Sequence, residues 1–198
     1  PQDLTSLRTL YQREYQQLPF SKDKQQHILN AILIKSYMKT IDETVTLTSE
    51  EERVLHDYLF SVEIWGLYEL SFFSSCSPLL SVQLLTKYTR EMLRKSDFLQ
   101  GVGKNRNMMH TLLLNGFMAC IEVDDFTNAL YFKKQIEKNF FEENETYFRI
   151  VYLWAEGLLD SKQGRVEEGR KKMEDAVRIF EIIGCSKSAD YYRSVIEC

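Results

Sequence analysis

His56 followed by Asp57 is a pair whose side chains could hold a metal ion and activate water. Metal-dependent phosphohydrolases need several more histidines at such a centre, and His27 and His110 fall on other predicted helices, so no metal site is expected. Gly101-Val102-Gly103-Lys104 resembles a phosphate loop, but Asn105 stands where Ser or Thr is required and no strand precedes it. No Gly-x-Ser-x-Gly, no His-Glu-x-x-His and no nucleophile constellation occurs. Residue chemistry therefore argues against an enzyme and against a cofactor. It favours a binding protein.

Asn115 is the sharpest candidate for binding. Its carboxamide, flanked by Leu113, Leu114, Gly116 and Phe117, can pair with both the N–H and the C=O of an extended peptide without demanding a side chain. Helical spacing places Thr111, Asn115 and Met118 on one stripe. The same asparagine could instead tie two helices together in the core, and residue chemistry alone leaves both readings open. Trp65, Tyr68 and Phe72 form a second stripe, and Tyr147 or Tyr152 with Trp154 a third. Aromatic stripes are more often plain core. The excess of Tyr and Trp over Leu still suits a surface that is apolar yet keeps a polar handle. Arg149, set among Phe148, Ile150 and Val151, and Arg106 could each receive a carboxylate in a bidentate fork, against the plainer reading of a solvated helix face. Arg170-Lys171-Lys172 alternates with Glu167, Glu168, Glu174 and Asp175, which predicts pairing along an exposed helix.

The elements that must position these residues are helices. Leu4, Leu7, Leu10, Tyr11 and Leu18 recur at helical spacing until Pro19, which cannot donate a backbone hydrogen bond. Asp23 offers a cap for a helix carrying Ile28, Leu29, Ile32, Leu33 and Tyr37. Thr48-x-x-Glu51 is a capping box, predicted to open a long helix through Val54, Leu59, Trp65 and Phe72. Ser77-Pro78 is expected to start the next, which ends in Arg90, Arg94 and Lys95. Gly101 and Gly103 mark a loop. Beyond it, Leu114–Lys133 and Trp154–Met173 are related by a shift of 40 positions, each a helix, a tight turn and a second helix. The turns fall at Asp124-Asp125 and at Gly164, Gly184 reads as a left-handed cap, and a short helix from Ser186 to Cys198 closes the chain. A fixed offset implies stacked hairpins. The expected fold is all-α, a tetratricopeptide-like right-handed array of about nine helices in a single domain, 1–198, working through a concave groove.

Composition agrees. Of 198 residues 44% are hydrophobic, and 3 Pro and 8 Gly are too few for a turn-rich β fold. A net charge of −4, from 25 basic and 29 acidic residues, gives no footprint for a phosphate backbone, so the chain alone should not bind DNA or RNA well. Cys76, Cys120, Cys185 and Cys198 lack Cys-x-x-Cys spacing and are expected to be reduced thiols. No signal peptide and no apolar run long enough to span a bilayer is found, which predicts a cytoplasmic protein away from membranes. The chain opens on Pro1-Gln2-Asp3, without Met, as a fragment would.

The stretch His56-Asp57-Tyr58-Leu59-Phe60-Ser61-Val62-Glu63-Ile64-Trp65-Gly66-Leu67-Tyr68-Glu69-Leu70 resembles the signature of the Rgg/MutR/GadR-type regulators of Gram-positive bacteria. Leu112-Leu113-Leu114-Asn115 with Asp125-x-x-Asn128-Ala129-Leu130-Tyr131-Phe132 is similar as well, and so is the tail with Gly164, Met173, Ala176, Ile179-Phe180 and Gly184-Cys185. The resemblance implies a homodimeric helical-repeat domain that senses a short hydrophobic signalling peptide. It further implies an N-terminal helix-turn-helix domain that binds promoter DNA. No basic recognition helix with its turn precedes residue 21, so promoter DNA would be reached only through a domain absent from this chain. The resemblance favours ligand contact for Asn115, with Thr111, Met118, Arg149, Tyr152, Trp65, Tyr68 and Phe72 as further peptide-binding candidates. A constitutive adaptor that docks a protein tail is the alternative.

Overall fold

Ten α-helices and no strand make up the described residues of the computed structural model: 3–95, 103–138 and 140–196, without the side chains of 103–105. Two compact units divide the chain, Pro1–Met109 and His110–Cys198.

In the first unit, α1 (Leu4–Gln17) is capped by Asp3, whose carboxylate accepts from the Thr5 amide, and stops before Pro19. The cap expected at Asp23 opens α2 (Lys24–Lys39), accepting from the Gln26 amide at 3.1 Å. These two helices pack as a hairpin. α3 (Ser49–Ser61) starts on a complete capping box: the Thr48 amide donates to Glu51 Oε2 at 2.7 Å and the Glu51 amide to Thr48 Oγ1 at 3.3 Å.

Two expectations need correction here. The helix predicted to run from Thr48 through Phe72 is two helices, α3 and α4 (Leu67–Cys76). Val62 turns extended, Lys95 Nζ donates to its carbonyl at 2.7 Å, and Gly66 serves as the cap of α4. Val62 and Trp65, three apart, are buried and Phe60 and Ile64, four apart, are exposed, the pattern that an unbroken helix would also show, so the break leaves the apolar periodicity intact. Ser77-Pro78 forms only a single 3-10 turn, Ser77–Leu79, and α5 (Val82–Lys95) begins instead behind Ser81, whose Oγ accepts from the Leu84 amide at 3.3 Å. The extra helix brings the described count to ten, where about nine were expected. Gly103 is the first residue of α6 (Gly103–Glu122) rather than loop, and Gly101 lies outside the described residues.

The carboxylate of Glu51 also ties the unit together. It is fully buried and accepts from Lys35 Nζ at 2.6 Å, Tyr11 OH at 2.9 Å and Tyr15 OH at 3.1 Å, while the same Lys35 donates to the Thr46 carbonyl at 2.9 Å. One side chain thereby joins α1, α2 and α3. Burial alone would raise its pKa, but the bonds from Lys35, the Thr48 amide and Tyr11 outweigh that and hold it below the ordinary carboxylate value.

In the second unit the offset seen in the sequence is visible in the backbone. α7 (Phe126–Lys138), α9 (Val166–Ile182) and α10 (Ser186–Ile196) each begin two residues after a left-handed position: Asp124 (φ 58°), Gly164 (φ 90°) and Gly184 (φ 77°). The same long-range cap recurs at each turn, with Asp125 N donating to Cys120 O, Arg165 N to Asp160 O and Cys185 N to Phe180 O. A small buried residue follows three positions into each helix, at Ala129, Gly169 and Ala189. At Gly169 the requirement is steric. A methyl there would stand 2.6 Å from the Ser161 amide and closer still to the Gly157 carbonyl on α8 (Thr146–Lys162), so α8 and α9 touch backbone to backbone. Asp160 closes this hairpin, accepting from Lys172 Nζ at 2.6 Å and from Arg165.

Of the three turn positions only Asp124 has a Cβ where the backbone disfavours one. Asp124→Gly is expected to raise stability by about 0.5–1 kcal/mol, less whatever its exposed ion pair with Lys162 contributes. Urea denaturation of both proteins checks this.

Candidate functional site

α6 carries the asparagine singled out above. Along it Met109, His110, Leu112, Leu113, Leu114, Gly116, Phe117, Cys120 and Ile121 are buried, whereas Thr111, Asn115 and Met118 are half-buried at the i, i+4, i+7 spacing of one helical face. The same face carries exposed Asn107 and Glu122 and half-buried Met108 and Ala119, so one side of an apolar helix stays part-exposed and presents a hydroxyl, a carboxamide and a thioether at its middle.

The other two candidates of this unit have duties within the chain. Tyr152 is 5% exposed, its ring packed near Phe117, Phe140 and Phe141, with Lys133 Nζ donating to its hydroxyl oxygen at 3.0 Å. Desolvation pushes the Tyr152 phenol up to about 12 despite that ammonium. Burial works against the charge on Lys133, yet Glu156, Tyr152 and Glu137 together hold its pKa above the ordinary value. Arg149 donates to the carbonyls of Phe141 (2.6 Å) and Glu142 (3.0 Å) and lies over the Phe140 ring. Its guanidinium fastens the segment before α8 to the helix. Arg106 is half-buried near the start of α6. Tyr147 is exposed, whereas Trp154 is buried against Tyr192.

Trp65, Tyr68 and Phe72 do not form one exposed stripe. Trp65 is 0% exposed and sits in the connector before α4, packed on Phe73, so it belongs to the core. Phe72 is buried, and Tyr68 is 54% exposed. Those last two line a groove of about 220 Å³ between α2 and α4, with Gln26, Asn30, Leu33 and Tyr37 along one side and Ser71 and Ser75 beside them on the other. Sequence reasoning missed Gln26 and Asn30. Their signal was present as the spacing 26, 30, 33, 37, a single face of α2 opposite its buried Ile28, Leu29 and Ile32.

Other chemistry is sparse. Among the described residues no three His, Cys, Asp or Glu side chains converge as a metal site would require. His56 packs on Phe60 and edge-on against Tyr88. Cys76, Cys120 and Cys185 are in no disulfide, and Cys198 lies outside the described residues. No described helix is long and apolar enough to cross a membrane.

Comparison with known proteins places this arrangement. Residues 9–194 match the family model described as HTH-type transcriptional regulator Rgg, C-terminal domain. The crystal structure of the Streptococcus dysgalactiae SHP pheromone receptor Rgg2 is 26% identical, with a TM-score of 0.78 over 99% of this chain and 76% of that one. A cysteine-to-serine form of the same receptor is 28% identical, with a TM-score of 0.78 over 98% of this chain and 72% of that one. A chain from Listeria monocytogenes EGD-e shares the fold at 19% identity and a TM-score of 0.78, over 98% of this chain and 67% of that one.

Proposed function

Since the chain belongs to the family of Rgg C-terminal domains, we propose that it is the peptide-sensing part of a cytoplasmic transcriptional regulator, and that a short hydrophobic peptide is its ligand. The observation that carries this reading is the half-buried strip of Thr111, Asn115 and Met118 on one face of a helix whose other faces are buried from Met109 to Ile121. Asn115 pairs with the main chain of the ligand, Thr111 adds a hydroxyl, and Met118 adapts to an apolar side chain. Within the first unit, Tyr68 over the floor made by Phe72 offers a peptide contact of its own. Tyr152 and Arg149 hold the neighbouring surface in place, and Arg149 reaches a ligand carboxylate only by releasing the carbonyls of Phe141 and Glu142. Trp65 supports the fold from inside. The similarity to a pheromone receptor favours a peptide over other apolar ligands.

The domain acts as a homodimer, and Ile182, Ile183, Tyr191 and Val195, exposed on the last two helices, offer an apolar face for that contact. Promoter DNA is bound by a helix-turn-helix domain of the parent protein. The ligand moves the equilibrium by binding one packing of the hairpins more tightly than another, since equal affinity for both would shift nothing. No catalysis and no cofactor enter.

Fluorescence polarisation of labelled short apolar peptides tests the reading. Binding is expected for wild type, with Asn115→Ala weakened about tenfold or more, the loss of one to two main-chain hydrogen bonds. Polarisation that never rises at high-micromolar protein would refute it.

A further inference from the structure

Four leucines of the first unit stop short of full burial although they converge on one hollow. Leu47 precedes α3, Leu79 and Leu80 close the 3-10 turn, Leu84 lies on α5, and each is half-buried. With the buried Leu55 and Tyr88 they line a cavity of about 410 Å³ between α3 and α5, a size that suits a small organic ligand. The facing wall is polar. Ser49, Glu52, Arg53 and His56 supply it, spaced as one face of α3. Tyr88 fixes the floor, its hydroxyl donating to the His56 carbonyl at 3.3 Å and its ring edge-on to the His56 ring. The cavity shares no residue with the strip on α6 or with the groove between α2 and α4.

The charged groups of the polar wall differ in what they can still bind. Arg53 is engaged by Asp57 at 3.5 Å, and the same carboxylate lies 3.9 Å from His56 Nδ1. The neighbouring Glu51 is held by Lys35. Glu52, exposed at the rim, has no counter-charge among the described residues. The hollow therefore offers leucine methyls on one side and one uncompensated carboxylate on the other. We infer that this cavity binds a small amphiphilic amine, with its hydrocarbon body on the leucines and Tyr88 and its ammonium beside Glu52. Apolar burial supplies the affinity, about fourfold for each methylene taken out of water. An exposed ion pair adds little and mainly sets the preferred sign of charge. A carboxylate head would meet Glu52 without a cation to offset it, because Arg53 is already paired. The inference stands apart from the peptide reading, which uses other residues.

Isothermal titration calorimetry of the full chain with hexylammonium, octylammonium and octanoate tests this. Octylammonium is expected to bind about tenfold more tightly than hexylammonium and about fivefold more tightly than octanoate. Glu52→Gln, an exposed change, should abolish the preference for the amine over octanoate and keep the dependence on chain length. Leu84→Gln should weaken both eight-carbon ligands about tenfold and keep the preference. Circular dichroism melting curves confirm that both variants remain folded. The ring proton resonances of the three histidines locate the ligand: those of His56 are expected to shift on saturation with octylammonium, and those of His27 and His110 to stay in place. No binding at millimolar amine, equal affinity for the two amines, or an amine preference that survives Glu52→Gln would each overturn the inference. So would binding that leaves the His56 resonances unmoved.

Discussion

Lys35→Met is expected to lower the stability of the protein by about 3–5 kcal/mol, because it leaves the Glu51 carboxylate buried with its cation gone. Glu51 is fully buried, and Lys35 Nζ lies 2.6 Å from it. The pair should be strongly non-additive. In Lys35→Met/Glu51→Leu no charge is left inside, so much of the loss returns, although the Tyr11 and Tyr15 hydroxyls then lack their acceptor and the cap on α3 loses one bond. A double-mutant cycle by urea denaturation measures this. A single-mutant loss within 1 kcal/mol of zero would mean that the pair contributes no more than a surface bridge.

The same carboxylate sets a pH dependence. Its pKa is lower in the folded state than the ordinary value of about 4.3 that it regains on unfolding. The stabilisation is therefore complete above the unfolded value and is lost as pH falls through the folded one. Glu51→Gln should flatten the acid limb of the stability curve while lowering stability at neutral pH.

Gly169→Ala is expected to be the second large loss, about 2–3 kcal/mol, although alanine is the better helix former by about 1 kcal/mol. The added methyl meets the Ser161 amide at 2.6 Å and the Gly157 carbonyl, both main-chain atoms held within α8, so relief requires α8 and α9 to move apart. In a protein of this size the midpoint of thermal unfolding should drop by roughly 5–10 °C. Gly164→Ala, where no atom lies within 4 Å of the added methyl, isolates the backbone cost of a left-handed φ and should lose less, about 1–2 kcal/mol. Equal melting points for Gly169→Ala and wild type would show that the two helices are not in main-chain contact.

Local signals account for the parts of the fold that could be read directly. Thr48 and Glu51 announce their capping box because its partners lie within four residues, while Pro19 removes a donor and Gly164 and Gly184 permit a left-handed φ wherever they stand. Gly169 was readable as a small position in a repeat. The hydrogen bonds that make Glu51 a junction were not, since Tyr11 is 40 residues away and Lys35 is 16. Gly66 misled for a related reason. Val62, Trp65 and Tyr68 keep helical spacing straight through it, so the periodicity gives no sign that the helix stops at Ser61 and restarts at Leu67. At the candidate site the strip on α6 follows from periodicity, whereas the engagement of Arg149 with the carbonyls of Phe141 and Glu142 depends on how the segment before α8 folds back. The α2–α4 groove needs two helices brought side by side, which no single periodicity specifies.

The measurement that bears most directly on the central claim is mass spectrometry of small peptides carried by the protein when it is purified from its native host. A short apolar peptide should accompany wild type and be missing from Asn115→Lys, which puts an ammonium on the half-buried strip of α6 and is compared at equal helicity by circular dichroism. Wild type that carries no peptide, or Asn115→Lys that carries the same one in the same amount, would contradict a peptide sensor built on that strip.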